Sequence, residues 1–527
     1  MRPVWTSKST GPYAGRDVAG LLDARAEQRG DLPFLIWEPF AGPSQLWSYR
    51  RFRQDVACCA SGLARRGVKE GEFVLIHLNN CPEALIAWHA CARLGAIAVT
   101  TNTRSSPAEL RYFAEHCGPM GAITQPRFAD MVAKACPTAH FLAVTAVDGD
   151  AEDESHAAPC SPGEPFEALY GDADAFVRPE PDPWRHLSVQ YTSGTTSRPK
   201  GVLWTHANGL WGGQLSARHE GLNADDVHFT HLPLFHTNAQ VYSALAALWA
   251  GAAMVLAPRF SASRFWEVSL RRRCTVSSMI PFCLRALAER PVPERNDYRL
   301  WAPAVSMPPA EAHFGVKTIG WWGMTETVTH GIVSDLADSE PMRSIGRPAP
   351  GYEISVLNEK GQPVRPGETG DLLIKGIPGL SLFEEYLHHR EATEAAFDDN
   401  GFMITGDRVT LGEGGELYFA DRSKDMLKVG GENVAASEIE SVIAQTPGVV
   451  EVAVVGKSDP MLDEVPVAFV LRSQEMASED LRTAVARLCE TELADFKRPR
   501  EVRIVDELPR STLEKINKAV LRDSLGD

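Results

Sequence analysis

The stretch that decides the fold spans residues 191–202 and reads Tyr191-Thr-Ser-Gly-Thr-Thr-Ser-Arg-Pro-Lys200-Gly201-Val202. It follows a strand-like run and precedes a helical pattern that begins near His206. Glycines let a backbone approach an anion closely, hydroxyl and N–H groups donate to it, and lysine adds positive charge. These residue types at the end of a strand predict a phosphate-binding loop.

Two other known motifs were compared with the same stretch, and neither is complete in this sequence. Pro199 stands where a Walker A loop needs its second glycine, so that loop is excluded. Ser197 and Lys200 match the S-x-x-K pattern of penicillin-recognising hydrolases, but no S-D-N or K-T-G stretch accompanies them.

Strand-like and helix-like patterns alternate around the loop. The strand-like runs are apolar without polar alternation, which is typical of strands buried on both faces. The alternation predicts an α/β fold with helices on both faces of parallel sheets. The predicted elements are helices at 20–29, 82–94 and 107–116 and strands at 73–78, 96–99, 121–124 and 187–191.

Two later regions differ in pattern. Residues 148–183 are rich in acidic residues, alanine and proline, which predicts a surface excursion with short elements. Short strand-like runs dominate after Gly351, starting with 352–357, and a compact α+β unit follows Lys424. Its predicted elements are helices at 436–445 and 478–490 and strands at 449–455, 465–471 and 501–505.

Further motifs follow the loop in the chain. Residues 320–327 read Gly320-Trp-Trp-Gly-Met-Thr-Glu-Thr327, which favours a flat ring beside a metal-binding oxygen. Thr405-Gly406-Asp407 comes next, and residues 421–433 read Asp421-Arg-Ser-Lys-Asp-Met-Leu-Lys-Val-Gly-Gly-Glu-Asn433. Taken singly, these stretches also suit a core aromatic residue and solvated turns.

In this order, the motifs resemble those of the adenylate-forming superfamily, which includes acyl-CoA synthetases, peptide-synthetase adenylation domains and beetle luciferases. The resemblance runs from about residue 15 to about 522, and residues 508–518 resemble the terminal P-[RK]-x-x-x-G-K-I-x-K motif. Phrases such as Lys375-Gly-Ile-Pro-Gly379 are similar to crotonobetaine/carnitine-type CoA ligases. The resemblance implies a large N-terminal α/β domain of parallel and mixed sheets flanked by helices, 1–421, and a small mobile α+β domain, 422–527.

The resemblance also implies a two-step, ATP-dependent carboxylic acid–CoA ligase. The acid first attacks the α-phosphorus of ATP to give an acyl-adenylate and pyrophosphate. The thiol of coenzyme A then forms the thioester and releases AMP. The implied cofactors are therefore ATP, Mg²⁺ and coenzyme A.

Site roles follow from matching the motifs residue by residue. Thr325 is implied to hold the α-phosphate and Glu326 to bind Mg²⁺, while Lys515 reaches the α-phosphate and carboxylate. His236 is implied to lie between the acyl pocket and the CoA tunnel, and Lys424 to be the hinge. Trp322 is implied to stack on adenine, and Asp407 to accept hydrogen bonds from the ribose hydroxyls. The implied nucleotide and CoA contacts are Thr192, Ser193, Gly194, Thr195, Thr196, Lys200, Trp322, Gly323, Met324, Asp407, Arg422, Lys428, Gly430 and Gly431.

The chain departs from the family pattern at three places. Glu514 replaces the usual glycine before Lys515, and Ser197 replaces a glycine of the phosphate loop. Residues 302–306 stand roughly where a G-A-x-P segment normally flanks adenine. The effect of these departures on adenylation is left open.

Composition limits the location and the partners. The chain has 527 residues and a formal charge of −16, which argues against binding nucleic acid through general electrostatics. Ten cysteines without a C-x-x-C pair predict buried, reduced thiols. The N-terminus lacks a signal-peptide pattern, and the most apolar stretch, 244–257, is too short to span a bilayer. We therefore expect a cytoplasmic protein with no integral membrane association.

The sequence leaves open which molecule accepts the acyl group and which carboxylic acid is activated. A small-molecule carboxylic acid, ATP and CoA are the expected partners, and a homodimer or a separate carrier protein is compatible with the family. A stand-alone enzyme that loads a carrier, or a nucleotide sensor without activity, are the alternatives. Residues 233–240 and 321–330 are expected to line the substrate pocket, and uncharged side chains among them, namely Phe235, Trp321 and Met324, favour an apolar acid.

Overall fold

The chain forms two compact units. The computed structural model describes residues 11–152, 162–192, 199–422, 426–473, 477–509 and 516–526. The first unit comprises Met1–Thr103, Ala114–Gln190 and Gly201–Asp421, and the second comprises Arg104–Phe113, Tyr191–Lys200 and Arg422–Asp527. Two short N-terminal segments therefore group with the C-terminal residues, whereas the sequence predicts a single boundary after residue 421.

Helices and strands alternate through most of the described chain. The α-helices are α1 Val18–Arg29, α2 Tyr49–Arg65, α3 Pro82–Leu94, α4 Pro107–Cys117, α5 Ala129–Ala135, α6 His206–His219, α7 Ala246–Ala250, α8 Phe265–Arg272, α9 Pro281–Ala288, α10 Pro308–Phe314, α11 Arg390–Ala395, α12 Ala436–Ile443, α13 Ser478–Glu492 and α14 Lys518–Asp523. Short 3₁₀ helices span Pro126–Phe128, Phe166–Leu169, Ala173–Ala175, Thr325–Thr327 and Asp495–Lys497, and a π-helix spans Asn238–Leu245.

The strands are β1 Pro33–Trp37, β2 Gln45–Ser48, β3 Phe73–His77, β4 Ile97–Thr100, β5 Gly121–Thr124, β6 Leu142–Val144, β7 Glu164–Pro165, β8 His186–Thr192, β9 Lys200–Thr205, β10 Val227–Thr230, β11 Ala253–Leu256, β12 Val276–Ser278, β13 Leu300–Ala304, β14 Lys317–Trp322, β15 Ile332–Val333, β16 Ser344–Pro348, β17 Glu353–Leu357, β18 Thr369–Lys375, β19 Glu385–Tyr386, β20 Met403–Leu411, β21 Leu417–Arg422, β22 Met426–Val429, β23 Glu432–Ala435, β24 Val449–Asp459, β25 Asp463–Arg472 and β26 Glu501–Val505.

Two large mixed sheets dominate the first unit. One has the order β19-β9-β8-β4-β3-β5-β6-β7, and the pairings from β8 through β3 to β7 are parallel. The other has the order β17-β18-β20-β21-β16-β15-β14-β13-β12-β10-β11-β1-β2, with parallel pairings from β14 to β1 and antiparallel pairings toward both ends. Strands β4 and β5 are buried along their whole length. The predicted α/β class with parallel and mixed sheets is confirmed.

Local chemistry explains where several elements begin. Helix α3 has the predicted bounds and starts with Pro82, whose missing N–H costs nothing in the first turn. Helix α1 begins two residues before the predicted start because the side chain of Asp17 accepts a hydrogen bond from the backbone N–H of Gly20 at 2.7 Å.

Part of the predicted surface excursion is integrated into the fold. Strand β7, Glu164–Pro165, pairs with β6 at the edge of the sheet. Phe166 and Leu169 are 1% and 0% exposed and belong to the core. The short elements agree with the prediction, whereas a surface position is wrong for Phe166 and Leu169, whose apolar side chains anchor a stretch of polar average composition.

The second unit has an α+β core. Strands β23, β22, β25 and β24 form a sheet in that order, and β26 pairs in parallel with β25. Strands β24 and β25 form one long antiparallel hairpin that is longer than the two predicted strands. Helices α12 and α13 bury Ile439, Ile443, Leu481 and Val485 in the core of this unit.

Two composition-based expectations can be compared with the described residues. The nine cysteines among them are all free thiols, and eight are buried while Cys58 is half-buried. No helix in the described part of the chain combines the length and the apolar character that crossing a membrane requires.

Candidate active site

A buried hydrogen bond joins two of the predicted motifs in the first unit. The indole Nε1 of Trp322, the last residue of β14, donates to Oδ2 of Asp407 in β20 at 2.8 Å. The two side chains are 6% and 1% exposed. The predicted adenine-stacking and ribose-binding residues therefore lie side by side, although 85 positions separate them in the chain.

The backbone around Asp407 is shaped by its two predecessors. Thr405 Oγ1 donates to the carbonyl of Leu372 at 2.6 Å and accepts from the N–H of Asp407 at 3.1 Å. Gly406 has a φ of +76°, a left-handed conformation that glycine adopts without steric cost. Each residue of the Thr-Gly-Asp motif thus has a structural reason for its type.

The turn after Trp322 requires a glycine. A Cβ on Gly323 would lie 2.7 Å from the hydroxyl of Tyr242 and 2.8 Å from the carbonyl of Thr329. The N–H of Met324 donates to Thr327 Oγ1 at 2.9 Å, which starts the 3₁₀ helix Thr325–Thr327. This turn places Thr325 and Glu326 three and four positions after Trp322.

The predicted metal ligand, Glu326, is held by an aromatic residue. Its side chain is 4% exposed, and Oε1 accepts a hydrogen bond from the hydroxyl of Tyr386 at 2.8 Å. Burial, and then the Glu326 carboxylate, raise the pKa of Tyr386, so this hydroxyl stays protonated and donates. The backbone carbonyl of Glu326 accepts from the N–H of Phe383 at 2.8 Å, which fixes the turn.

A buried polar chain leads to Thr325. Thr237 Oγ1 donates to Gln190 Oε1 at 2.8 Å and lies 3.4 Å from Thr325 Oγ1. The side-chain amide of Gln190 donates in turn to Gln240 Oε1. Because Thr237 has a single hydroxyl proton, its bond to Gln190 leaves it to accept from Thr325.

His236 precedes this chain directly. The residue is half-buried, its N–H donates to the carbonyl of Pro233 at 3.0 Å, and its carbonyl accepts from the N–H of Gln240 at 3.1 Å. These bonds begin the π-helix Asn238–Leu245. Such helices are rare and are often found at functional sites.

The aromatic residues near the turn pack against one another. The ring centroids of Tyr242 and His330 are 4.2 Å apart, and each of these rings lies 5.2 Å from the ring of Trp321. Burial holds the pKa of His330 well below its usual value, so its imidazole is neutral. Trp321 also donates from Nε1 to the carbonyl of Ala302 at 3.0 Å.

The segment 302–306, which departs from the family pattern, contains a left-handed residue. Ala304 ends β13 with a φ of +73°. This conformation favours glycine, so an alanine at this position is strained.

The remaining described site residues belong to the second unit. Thr192 ends β8, Lys200 begins β9, and both are half-buried. Lys428 is exposed on β22, and its N–H donates to Glu464 Oε2 at 2.8 Å. Gly430 and Gly431, with φ of +59° and +89°, form the two-residue turn between β22 and β23, where positive φ is required at both positions.

Several predicted residues fall wholly or partly outside the described part of the chain. Arg422 ends β21, and its side chain is not described. The residues that lie outside the described chain are Ser193, Gly194, Thr195, Thr196, Lys424 and Lys515.

The structure also reveals residues that sequence reasoning missed. Gln190, Thr237 and Gln240 form the polar chain to Thr325, and Tyr386 holds Glu326. Gln190 directly precedes the phosphate-loop motif, and Thr237 and Gln240 lie in the stretch 233–240, so their position beside these stretches is the signal that could have found them. Tyr386 lies outside every motif and gave no signal. Among the described residues, no three His, Cys, Asp or Glu side chains form a metal-binding group.

Comparison with known proteins identifies the family. The model of the AMP-binding enzyme family matches residues 22–387, and that of the AMP-binding enzyme C-terminal domain matches residues 438–515. A crotonobetaine/carnitine–CoA ligase of Salmonella arizonae is 34% identical over 96% of this chain and 97% of its own length. The chain therefore belongs to the AMP-binding enzyme family.

Solved structures agree with this assignment. The o-succinylbenzoate CoA synthetase from Bacillus subtilis has a TM-score of 0.81 and 27% identity, with 95% of this chain and 98% of that chain covered. A Mycobacterium tuberculosis fatty acyl CoA synthetase has a TM-score of 0.67 and 27% identity, with 96% and 98% covered. The predicted membership of the adenylate-forming enzymes and the predicted class, an AMP-forming acid–thiol ligase, are confirmed.

Proposed function

We propose that the first unit activates a carboxylic acid as its adenylate, and that coenzyme A then accepts the acyl group. The observation that carries the proposal is the buried bond between Trp322 Nε1 and Asp407 Oδ2, 2.8 Å long. It joins the residue proposed to stack on adenine to the residue proposed to bind the ribose hydroxyls. Thr325 and Glu326, the proposed phosphate and metal contacts, follow Trp322 by three and four positions.

Two displacements make up the proposed reaction. A carboxylate oxygen of the acid attacks the α-phosphorus of ATP, the bond to the bridging oxygen breaks, and pyrophosphate leaves. The CoA sulfur then attacks the acyl carbon, the bond to AMP breaks, and the thiol loses its proton. The first step brings an anion toward a triphosphate, so neutralising charge there supplies much of the rate.

The residues of the first unit suit these demands. Thr325 Oγ1 lies 3.4 Å from Thr237 Oγ1, and on nucleotide binding its single hydroxyl proton would turn from Thr237 to the α-phosphate. Mg²⁺ favours a carboxylate together with phosphate oxygens and water. Glu326 fits this preference, because it supplies a buried carboxylate that Tyr386 holds in place. When bound there, the ion would neutralise phosphate charge. We propose Lys200, the loop 192–200 and Lys515 as the further positive and hydrogen-bonding groups.

The second unit is proposed to serve the CoA step. The turn at Gly430 and Gly431 has no side chain to obstruct an approaching pantetheine, and the neighbouring Lys428 is exposed. We propose that the domain boundary lies after residue 421. We further propose Lys424 as the hinge at which the C-terminal domain rotates, so that it presents a different face in each step. His236 is proposed to lie where the acyl group meets the thiol.

We propose an uncharged, apolar acid as the substrate. The relative from Salmonella arizonae is named for crotonobetaine and carnitine, which carry a quaternary ammonium group. An aromatic cage holds rings apart around such a cation. The rings of Tyr242, Trp321 and His330 instead pack on one another at 4.2 to 5.2 Å, which supports the apolar choice.

An acid panel tests this function. ATP, Mg²⁺ and CoA are supplied with alkanoic acids of graded length, aryl acids and carnitine, and AMP and acyl-CoA are quantified. We expect AMP and thioester in equal amounts with apolar acids and little product with carnitine. Replacing CoA by holo-carrier protein tests the alternative acceptor. AMP formed only with the carrier would refute CoA as acceptor, and the absence of acid-dependent pyrophosphate exchange would refute the ligase. A cytoplasmic location stays a prediction.

A further inference from the structure

Thr325 is held by its backbone as well as by its side chain. Its carbonyl accepts a hydrogen bond from the indole Nε1 of Trp204 at 3.0 Å and another from the N–H of Val328 at 3.2 Å. Trp204 lies on β9 and is 0% exposed. An indole N–H can only donate, so the carbonyl of Thr325 is the acceptor that satisfies this buried group.

The turn that carries Thr325 ends in a strained residue. Val328 follows the 3₁₀ helix Thr325–Thr327 with a φ of +64° and is 0% exposed. A β-branched side chain is an outlier at such a φ, because its substituents on Cβ crowd the backbone. A strained conformation of this kind persists only where the surrounding contacts impose it. The bond from Trp204 is one of the contacts that hold this turn in shape.

Strand β9 also supports Glu326, the next residue of the turn. Val202 of β9 pairs with Tyr386 of β19, and the hydroxyl of Tyr386 donates to Glu326 Oε1 at 2.8 Å. One strand therefore supports the proposed α-phosphate contact directly and the proposed metal ligand through its neighbour in the sheet.

A second set of bonds acts on the hydroxyl of Thr325. Gln190 is 3% exposed, and its side-chain amide donates to Gln240 Oε1, so its own Oε1 accepts the hydroxyl proton of Thr237 at 2.8 Å. Thr237 can then only accept from Thr325, and the 3.4 Å between the two Oγ1 atoms makes that bond weak. The proton of Thr325 is thus given one direction in the protein and is easily released to a better acceptor.

Both sets of bonds start from strands next to the predicted phosphate loop. Strand β8, which carries Gln190, ends at Thr192, and strand β9, which carries Trp204, begins at Lys200. The two strands that flank the loop in sequence therefore also supply the bonds that hold Thr325.

We propose that Trp204 and Gln190 are positioning residues for adenylation. Trp204 fixes the backbone of Thr325, and Gln190 fixes its hydroxyl through Thr237. The donor is then in place when charge develops on the α-phosphate, and no reorganisation is needed during the reaction. The inference rests on the proposed function and adds to it two residues that act through Thr325.

Trp204→Phe tests the backbone bond, because it keeps a buried ring and removes the donor. Pyrophosphate exchange is measured with the acid that reacts fastest in the panel. We expect kcat to fall roughly threefold to tenfold, the size of one neutral hydrogen bond, while the KM for ATP stays within about twofold. Thioester formation from supplied acyl-adenylate should stay close to wild type, which also verifies that the variant folds.

Trp266→Phe is the matched control. Trp266 is 8% exposed, and its Nε1 has no hydrogen-bond partner among the described residues. The substitution therefore shrinks a buried indole without removing a bond, and pyrophosphate exchange should keep the wild-type kcat.

A double-mutant cycle tests the bonds to the hydroxyl. Thr237→Val should lower the kcat of exchange roughly threefold to tenfold, and Gln190→Met should act in the same direction. Thr237→Ser, which keeps the hydroxyl, should stay close to wild type. In a Thr325→Val background, Thr237→Val should have no further effect, because the hydroxyl on which it acts is already absent.

Four results would overturn the inference. They are equal kcat values for exchange in the Trp204→Phe and Trp266→Phe variants, a Trp204→Phe effect confined to the KM for ATP, equal loss of both half-reactions in Trp204→Phe, and additive effects of Thr237→Val and Thr325→Val. Each of them leaves the proposed function standing, because the wild-type enzyme still exchanges pyrophosphate. No exchange by the wild-type enzyme with any acid would refute the proposed function, and the inference with it.

Discussion

The Trp322–Asp407 pair and the Gly430–Gly431 turn are both short motifs, but they are built in opposite ways. The first is a buried bond between side chains 85 positions apart, supported by Gly323, Thr405 and the core around them. The second is a local two-residue turn between β22 and β23, beside an exposed lysine. The first arrangement exists only in the folded unit, whereas the second is specified almost entirely by its own glycines.

This difference matches the two proposed steps. A nucleotide site benefits from groups held rigidly where charge develops, because they need no reorganisation during the reaction. A loop that approaches pantetheine benefits from a backbone without side chains. Variants of the first region should therefore change ATP use and stability together, and variants of the second should change thioester formation with little effect on stability.

The largest effect is expected from Lys515→Ala, which would separate the two steps. Removing a charge that acts only during attack on the triphosphate should slow adenylation about 100-fold or more, and should largely spare thioester formation from supplied acyl-adenylate. The two half-reactions are measured separately on one preparation. Lys518→Ala is the control, because Lys518 pairs with Glu440 at 2.7 Å and should be dispensable for adenylation. Equal loss of both half-reactions would contradict the assignment.

Lys424→Pro should produce the reverse separation. Proline fixes φ near −65°, whereas a hinge must change its backbone angles. We expect pyrophosphate exchange to remain substantial while thioester formation falls about 100-fold. Lys424→Ala keeps the backbone free and should leave both steps close to wild type. Wild-type thioester rates in the proline variant would refute the hinge.

Glu326→Gln tests whether the carboxylate of Glu326 binds Mg²⁺. The amide keeps the shape of the side chain and removes its charge, so adenylation should fall roughly 10-fold to 100-fold at limiting Mg²⁺ and recover in part at high Mg²⁺. Tyr386→Phe, which keeps the carboxylate and removes only its 2.8 Å donor, should have a smaller effect. An unchanged Mg²⁺ titration in the glutamine variant would place the metal elsewhere.

Trp322→Phe should have an intermediate effect. It keeps a ring for adenine but removes the donor to Asp407, so the KM for ATP should rise about tenfold while the KM for the acid stays constant. Trp321→Phe is the matched control, because it loses a comparable 3.0 Å bond to the carbonyl of Ala302 and should leave the KM for ATP unchanged. Equal shifts in both variants would indicate a purely structural effect.

The smallest effect is expected from Gly431→Ala. A φ of +89° strains any L-residue, so the variant should lose about 1 kcal/mol of stability and a few-fold of thioester formation, with pyrophosphate exchange unchanged. Gly415→Ala carries similar strain, at a φ of +84° with no atom near the new Cβ, and should affect stability alone. Identical thioester rates in the two variants would remove the turn from the CoA step.

Sequence patterns predicted the elements more successfully than the contacts. Apolar runs placed β4 and β5, and Pro82 in the first turn placed α3, because both are signals within a few neighbouring residues. The bond of Trp322 to Asp407 and that of Tyr386 to Glu326 depend on how separate strands meet, which no local pattern encodes.

The substrate pocket shows the same limit, and its place along residues 233–240 and 321–330 stays a prediction. Trp321 and His330 pack with Tyr242, a contact between separate elements that no local pattern encodes.

The most direct test of the account follows the oxygen atoms of the acid. The enzyme is supplied with ATP, Mg²⁺, CoA and octanoate labelled with ¹⁸O in its carboxylate, and the products are examined by mass spectrometry. If the carboxylate attacks the α-phosphorus, each AMP carries one labelled oxygen, the thioester keeps the other, and pyrophosphate carries none. Label in inorganic phosphate, or ADP in place of AMP, would contradict the proposed acyl-adenylate.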